Sequence, residues 1–324
     1  MKKDNVLVIG ALGQIGSDLI PELQNIYGEG HVIASDIVEK RNLKRNLQVT
    51  ASLYEHLNIL DSERLGTLIR KYKVSQIYLL AAILSAKGES NPKFAWRLNM
   101  EGLINVLEAA VQYGCKVFWP SSIAVFGPKS PPIQTPQDTM MNPITIYGIS
   151  KQAGEGWAAY YYLRHKVDIR SLRYPGLISY KALPGGGTTD YAVDIFYQAL
   201  QKGSYTCFLS EDLALPMMYM PDAIRATLEL MHSDADRITI RSSYNLAGIS
   251  FSPGQISQEI QRHIPHFSTA YAPDFRQEIA ESWPRSVDDT LSQQDWNWKA
   301  AYDLEKMTKD MLTNLAERLK NTEN

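Results

Sequence analysis

Cysteine is nearly missing from this chain of 324 residues, with Cys115 and Cys207 the only two. They are too few for a disulfide framework or a four-thiolate zinc site. His263 and His266 are interrupted by Pro265 and suit an exposed loop better than a ligand pair. No sign of charge dominates either: 33 Lys and Arg face 35 Asp and Glu, a formal net charge of −2. That gives no electrostatic case for wrapping DNA or RNA. Long hydrophobic runs are absent as well. The longest nearly unbroken one, Ile77 to Ala86, has about ten residues, too few to cross a bilayer. Lys2 and Lys3 before Val6–Leu12 look like a short signal peptide, but Asp4 and Asn5 interrupt it and no small-residue cleavage site follows. The expectation is a globular, cytoplasmic protein. Its length allows about two domains, or one α/β domain with a large appendage.

What is present is an alternation of short apolar runs and amphipathic stretches over the first 120 residues. The pattern predicts strands at Val6–Ile9, His31–Ser35, Leu53–Asn58, Gln76–Ala81 and Lys116–Trp119. Helices are expected over Ile15–Tyr27, Ser62–Lys73 and Phe94–Tyr113. Continuous apolar strands separated by helices imply a doubly wound parallel sheet in an α/β fold. In such a sheet ligands sit at the carboxyl ends of the strands. After about Tyr174 the texture changes. A Gly-rich stretch, Pro184–Asp190, precedes a helix through Leu200, and Ser242–Ala247 reads as another strand. From Ser252 onward the pattern is helical, ending in the amphipathic segment Leu304–Lys320.

Gly10-Ala-Leu-Gly13-Gln14-Ile15-Gly16 follows the first strand and opens a helix. Twenty glycines can produce such a triplet by chance, and a plain strand–turn–helix is the bland alternative; the context gives it weight. The first glycine permits a tight turn, the second lets backbone amides approach a pyrophosphate, and the third allows close helix packing. This spacing resembles that of short-chain dehydrogenase/reductases. Asp36 closes the second strand 20 residues beyond Gly16. A carboxylate there binds both adenosine ribose hydroxyls and repels a 2′-phosphate, which favours NAD over NADP. Arg41, Lys44 and Arg45 follow closely; they could serve a phosphate but suit a solvated loop better.

Tyr147-Gly-Ile-Ser-Lys151 has Tyr-x-x-x-Lys spacing, as do Tyr162–Lys166 and Tyr302–Lys306. Each pair could simply share a helix face. Only Tyr147 has a serine 25 residues upstream, and this Ser122 falls just past the strand ending at Trp119. Oxidising an alcohol needs a base for the hydroxyl proton while hydride leaves for nicotinamide. Tyrosine, with a pKa near ~10, is a poor base at neutral pH. A lysine ammonium one helical turn away lowers that pKa, and Ser122 would hold the oxygen as alcohol becomes carbonyl.

The glycine turn, Asp36, Leu80-Ala81-Ala82, Asn99, Pro120–Gly127 and Tyr147/Lys151 resemble the extended short-chain dehydrogenases, the group of UDP-galactose epimerase. The match runs in order through most of the chain. Leu183–Ala192, Asp194–Tyr197, Pro216–Asp222 and Ser282–Pro284 are similar to segments of the epimerase-like L-threonine 3-dehydrogenases. The resemblance implies NAD-dependent, metal-free oxidation of the threonine side-chain hydroxyl to L-2-amino-3-oxobutanoate, with Tyr147 as base. It implies a Rossmann domain over 1–175, rejoined by 214–248, and a smaller C-terminal substrate-binding region of 176–213 and 249–324. It places Leu80, Ala81, Ala82, Asn99, Tyr174 and Leu177 at the cofactor, with Lys151 on its ribose. Asn58 and Ile59 fall where the family sets an acidic and an apolar residue against adenine, the Asn being a departure.

Ser85, Thr188, Thr189, Asp190 and Trp283 map onto the family's amino-acid pocket. Hydroxyls and Gly-rich amides suit a carboxylate, and Asp190 suits an ammonium. Each also has a plain alternative: a flexible glycine loop, a helix cap at Asp190, a core Trp283. The competing enzyme is an NAD-dependent sugar-nucleotide epimerase or dehydratase. Such enzymes need basic residues for a diphosphate, and Arg262, Arg276 and Arg285 are the candidates. A non-catalytic NAD sensor would have no need of the Ser/Tyr/Lys set. The family's helix pairing implies a homodimer through Phe94–Tyr113 and the Tyr/Lys helix, where Trp157, Tyr160, Tyr161 and Tyr162 crowd.

Overall fold

The computed structural model describes residues 4–42, 53–181, 185 and 187–322. Lys44, Arg45, Leu183, Pro184 and Gly186, which enter the expectations above, lie outside them. In chain order the first half comprises β1 (Val6–Ile9), α1 (Gln14–Tyr27), β2 (Val32–Asp36), β3 (Leu53–His56), α2 (Ser62–Tyr72) and β4 (Gln76–Leu79). Then come α3 (Ser85–Glu89), α4 (Pro92–Tyr113), β5 (Lys116–Phe118), β6 (Ser121–Ser122), α5 (Ile146–His165) and β7 (Ile169–Arg170).

The four side chains of β1 are at most 1% exposed, each contributing about 1.5–3 kcal/mol by burial. A strand apolar on both faces belongs in the middle of a covered sheet. Here it does, in the parallel order β3-β2-β1-β4-β5-β7. Alternate residues feed opposite cores. Val6 and Val8 pack with Leu19, Ile20 and Leu23 of α1, whereas Leu7 and Ile9 pack with Leu65 of α2 and Leu103 of α4. The chain winds outward through β2 and β3, then returns across β1 to β4. That reversal opens a crevice at the carboxyl end of β1, where the glycine turn lies.

The second half comprises β8 (Leu172–Tyr174), β9 (Gly176–Ile178), α6 (Tyr191–Lys202), β10 (Ser204–Cys207), β11 (Leu215–Tyr219), α7 (Met220–His232) and β12 (Tyr244–Asn245). It ends with β13 (Ile249–Phe251), α8 (Pro253–His263), β14 (Ser268–Tyr271), α9 (Arg276–Glu281), α10 (Thr290–Trp296) and α11 (Leu304–Thr322). Three small sheets, β12-β8-β6, β13-β11-β9 and β10-β14, sit here. A separate core gathers Ile195 and Phe196 of α6, Ile256 and Ile260 of α8, and Met307 and Met311 of α11. Strand β11 serves two cores: Leu215, Met217 and Tyr219 face this one, while Met218 joins the cluster of α1 and α7.

Two expectations need correction. The stretch beyond Ser252 is not wholly helical, because Ser268–Tyr271 forms a strand paired in parallel with Ser204–Cys207. Four residues of mixed polarity carry little periodicity, and the partner lies far upstream. Several strands are also shorter than expected: Gln76–Ala81 ends at Leu79, and Ser242–Ala247 contracts to Tyr244–Asn245. Leu80 and Ala81 leave the strand but still donate their backbone N–H groups to the Ile9 carbonyl, at 2.8 and 3.0 Å. Among the described residues no helix is long and apolar enough to cross a membrane.

Candidate active site

The glycine turn is held by the sheet itself. The N–H groups of Gly10 and Ala11 both donate to the Ser35 carbonyl of β2, at 2.9 and 3.0 Å. Gly10 takes a φ of +89°, and a Cβ there would lie 2.6 Å from the Ala81 nitrogen. A Cβ on Gly16 would lie 2.5 Å from the Ala11 oxygen. Backbone cannot yield as a flexible side chain can, so both positions require glycine. Gly13, by contrast, would meet only the Gly10 oxygen, at 3.3 Å, leaving space on its outer side. No acidic residue sits in the first turn of α1, so its free N–H groups favour an anion. Asp36 accepts from the Leu12 N–H at 3.1 Å, which fixes its carboxylate beside the turn.

A cleft runs from this turn to the C-terminal core. It brings together Gly10, Gly13, Gln14, Ile15, Gly16, Leu80, Ala82, Ser85, Ser122, Tyr147, Lys151, Tyr174, Leu177, Thr188, Thr189, Asp190 and Trp283. The remaining expected residues lie off its wall. Ala81 packs behind Gly10. Asn58 is exposed and accepts from the Leu60 N–H, and Ile59 is buried against Gly102. Asn99 clamps the segment after β4: it accepts from the Ile83 N–H at 2.9 Å and donates to the Ile83 carbonyl at 3.1 Å. Its amide also donates to the Ser150 hydroxyl of α5 at 3.2 Å.

Ser122, Tyr147 and Lys151 come together where β6 meets α5. Ser122 ends β6 and caps the turn after it, accepting from the Ala124 N–H. Tyr147 and Lys151 occupy successive turns of α5, whose start is capped by the Thr145 hydroxyl accepting from the Gly148 N–H. Lys151 Nζ donates to the Pro120 carbonyl at 2.5 Å and lies 4.5 Å above the Trp119 ring. Its nitrogen is 5.5 Å from the centre of the Tyr147 ring. Burial drives the Lys151 ammonium down to about 7, against the favourable charge of Glu155. Burial also pushes the Tyr147 phenol up to about 12, with a Ser122 hydrogen bond pulling the other way.

At the far end the Ser85 and Thr188 hydroxyls lie 3.1 Å apart. Asp190 precedes α6 without capping it by side chain and instead accepts from the Gly187 N–H at 2.7 Å. Trp283 is both a cleft wall and a member of the C-terminal core. Tyr174 lines the cleft while its hydroxyl bonds Thr227. Wall residues that the sequence did not single out are Leu84, Pro175 and Gly176. Leu84 and Pro175 each lie shortly beyond a strand end, the one signal that pointed to them. Among the described residues no group of three or more His, Cys, Asp or Glu is arranged to hold a metal ion.

Residues 6–247 match the NAD dependent epimerase/dehydratase family. An epimerase/dehydratase of Staphylococcus haemolyticus, described as uncharacterized, is 43% identical, with 98% of this chain and 99% of that one covered. Among solved structures, a GalE-like L-threonine dehydrogenase from Cupriavidus necator, in its holo form, is 55% identical at a TM-score of 0.93, covering 96% of this chain and 99% of the other. A monomeric L-threonine 3-dehydrogenase of metagenomic origin, in its apo form, is 46% identical at a TM-score of 0.92, covering 97% and 99%.

Proposed function

Since the chain belongs to the NAD-dependent epimerase/dehydratase family, we propose that it is a metal-independent L-threonine 3-dehydrogenase. It would oxidise the C3 hydroxyl to L-2-amino-3-oxobutanoate. The observation that carries this reading is the make-up of the cleft. Hydroxyls, one carboxylate and an indole line its far end, and no arginine is among its described wall residues. Arg262 pairs with Glu259, and Arg276 stacks on Phe208 and pairs with Asp274. A sugar-nucleotide diphosphate calls for such cations at the substrate. A zwitterion calls for one acceptor and a few neutral donors. Asp190 takes the ammonium, Ser85, Thr188 and Thr189 take the carboxylate, and Trp283 excludes water. The likeness to the two dehydrogenases supports the same choice.

The turn Gly10–Gly16, with Gln14 and Ile15, holds the pyrophosphate, and Asp36 holds the adenosine ribose. Leu80, Ala81, Ala82, Tyr174 and Leu177 enclose the rest, Asn99 keeps that segment in place, and Asn58 and Ile59 lie toward adenine. Bound NAD supplies the hydride acceptor. Tyr147 accepts the hydroxyl proton at its phenol oxygen, and Ser122 donates to the oxygen that becomes a carbonyl. Lys151 holds the ribose and, as an ammonium one turn away, stabilises the phenolate. A phenol near 12 cannot act as a base at neutral pH without such a charge. We also propose the division into a Rossmann part and a substrate-binding part as given above, and a homodimer through α4 and α5.

The test is NADH formation across hydroxy-amino acids. L-threonine should reduce NAD, with L-serine well below it in kcat/KM. No threonine-dependent NADH, with turnover of a UDP-sugar instead, would transfer the chain to the epimerase or dehydratase reading.

A further inference from the structure

One turn beyond Lys151, the same helix buries a second titratable side chain that the proposed reaction does not use. Glu155 is 1% exposed and Arg173 of β8 is 3% exposed. Their side chains meet as a fork, Arg173 Nε donating to Oε1 at 2.9 Å and Nη2 to Oε2 at 2.8 Å. The Ser121 hydroxyl adds a third donor to Oε1 at 2.6 Å. Arg173 Nη1 donates to the Gln137 carbonyl and to Asn245 Oδ1, at 2.9 and 3.0 Å. Asn245 in turn donates to the carbonyls of Thr135 and Asp288, both at 3.0 Å, and Thr135 bridges to Val287 beside the segment of Trp283.

Every element that carries a reacting side chain is therefore tied to this pair. Ser121 adjoins Ser122, Glu155 shares α5 with Tyr147 and Lys151, and Arg173 adjoins Tyr174. A buried ion pair is weak as a source of stability, since desolvation offsets much of the attraction. An apolar pair could have filled the same space. We infer that Glu155 and Arg173 are positioning residues for the reaction proposed above: their fork, with the Ser121 hydroxyl, fixes α5 against β6 and β8 and sets a carboxylate one helical turn from Lys151. This inference rests on the proposed roles of Tyr147 and Lys151.

The charged and titratable groups around Lys151 are few among the described residues. Tyr147 and Glu155 come from its own helix, and Arg173 stands behind Glu155 on β8. Tyr174 of β8 lines the same cleft with its hydroxyl turned to Thr227. The β5 and β6 side offers the Trp119 ring, the Pro120 carbonyl and serine hydroxyls. Glu155 is thus the one carboxylate whose attraction opposes the loss of the Lys151 proton.

The test follows the Lys151 titration by NMR in the full chain carrying 13Cε,15Nζ-lysine, the signal being identified by its loss in Lys151→Met. Glu155→Gln keeps the shape, removes the charge and leaves one acceptor oxygen in place of two. The Lys151 midpoint should fall by about one pH unit or more. Glu155→Gln/Arg173→Gln avoids an unpaired arginine, and there too the midpoint should fall, because Glu155 is the charge that favours the Lys151 ammonium. Glu155→Asp keeps the charge but draws it one methylene back, so the midpoint should fall there by a smaller but still measurable amount. In parallel, kcat with threonine should drop about tenfold or more in the neutral variants while KM changes little. Unmoved midpoints overturn the inference. So does loss of fold in both neutral variants with an unshifted midpoint in Glu155→Asp, which would assign the pair to stability alone. A wild type that does not oxidise threonine defeats the proposed function and leaves the titration result standing.

Discussion

Replacing Tyr147 by Phe removes one hydroxyl and leaves the ring that lines the cleft. NAD binding, followed by fluorescence or calorimetry, should therefore persist, while turnover falls by about 10²–10⁴-fold, the usual worth of a positioned acid–base group. Unchanged turnover would remove Tyr147 from the mechanism, and lost NAD binding would make its role structural. That Ser122, Tyr147 and Lys151 share one cleft was readable in the sequence because three local signals coincided: the i, i+4 spacing, a serine at a strand end, and that strand's place beside the glycine turn. Glu155 and Arg173 sent no such signal. They lie 18 residues apart on different elements, and each looks like an ordinary surface charge until the fold buries them. Asp190 shows a further limit. Its place before α6 suggested a cap, but its carboxylate reaches back to Gly187, a choice made by loop geometry.

At the scale of elements, the junction of β1 and α1 is the feature most sensitive to a single carbon. Gly16→Ala sets a methyl 2.5 Å from a backbone oxygen that cannot rotate away. The turn must open, at a cost of about 1–3 kcal/mol in stability, and the amides lose their aim. Affinity for NAD should fall at least about tenfold, measured by calorimetry alongside a thermal melt. Gly30→Ala, where a Cβ would meet nothing within 4 Å, is the matched control and should bind as the wild type does. Equal affinities in the two variants would count against the turn as the pyrophosphate site. Helices of the first half were legible because each holds enough residues for a period to emerge, and its buried parallel strands because they are apolar runs set between those helices. Strands such as Ser121–Ser122 and Gly176–Ile178 carry neither mark and are fixed by partners elsewhere in the chain. Periodicity could not have found them.

For the molecule as a whole, α4 and α5 pack side by side and still leave apolar surface facing outward. Phe94 and Trp96 of α4 are 46% and 41% exposed, and Tyr160 and Leu163 of α5 are 48% and 64% exposed. A face of this kind is expected to be covered by a second copy. Light scattering at micromolar concentration should give the mass of a dimer, and Leu163→Glu should shift it toward the monomer with NAD binding intact. A monomeric wild type, as the metagenomic relative is described, would overturn the pairing. The overall architecture was legible from the order of strands and helices, whereas the seam between its two parts came from the family resemblance and not from any pattern in the residues. That seam has a mechanical meaning. Because β11 lends alternate side chains to both cores, neither part holds a complete interior when excised. A calorimetric scan would register one shared melting event, and a truncation that stops before β11 would leave a nucleotide-binding fragment with Met218 missing from its packing.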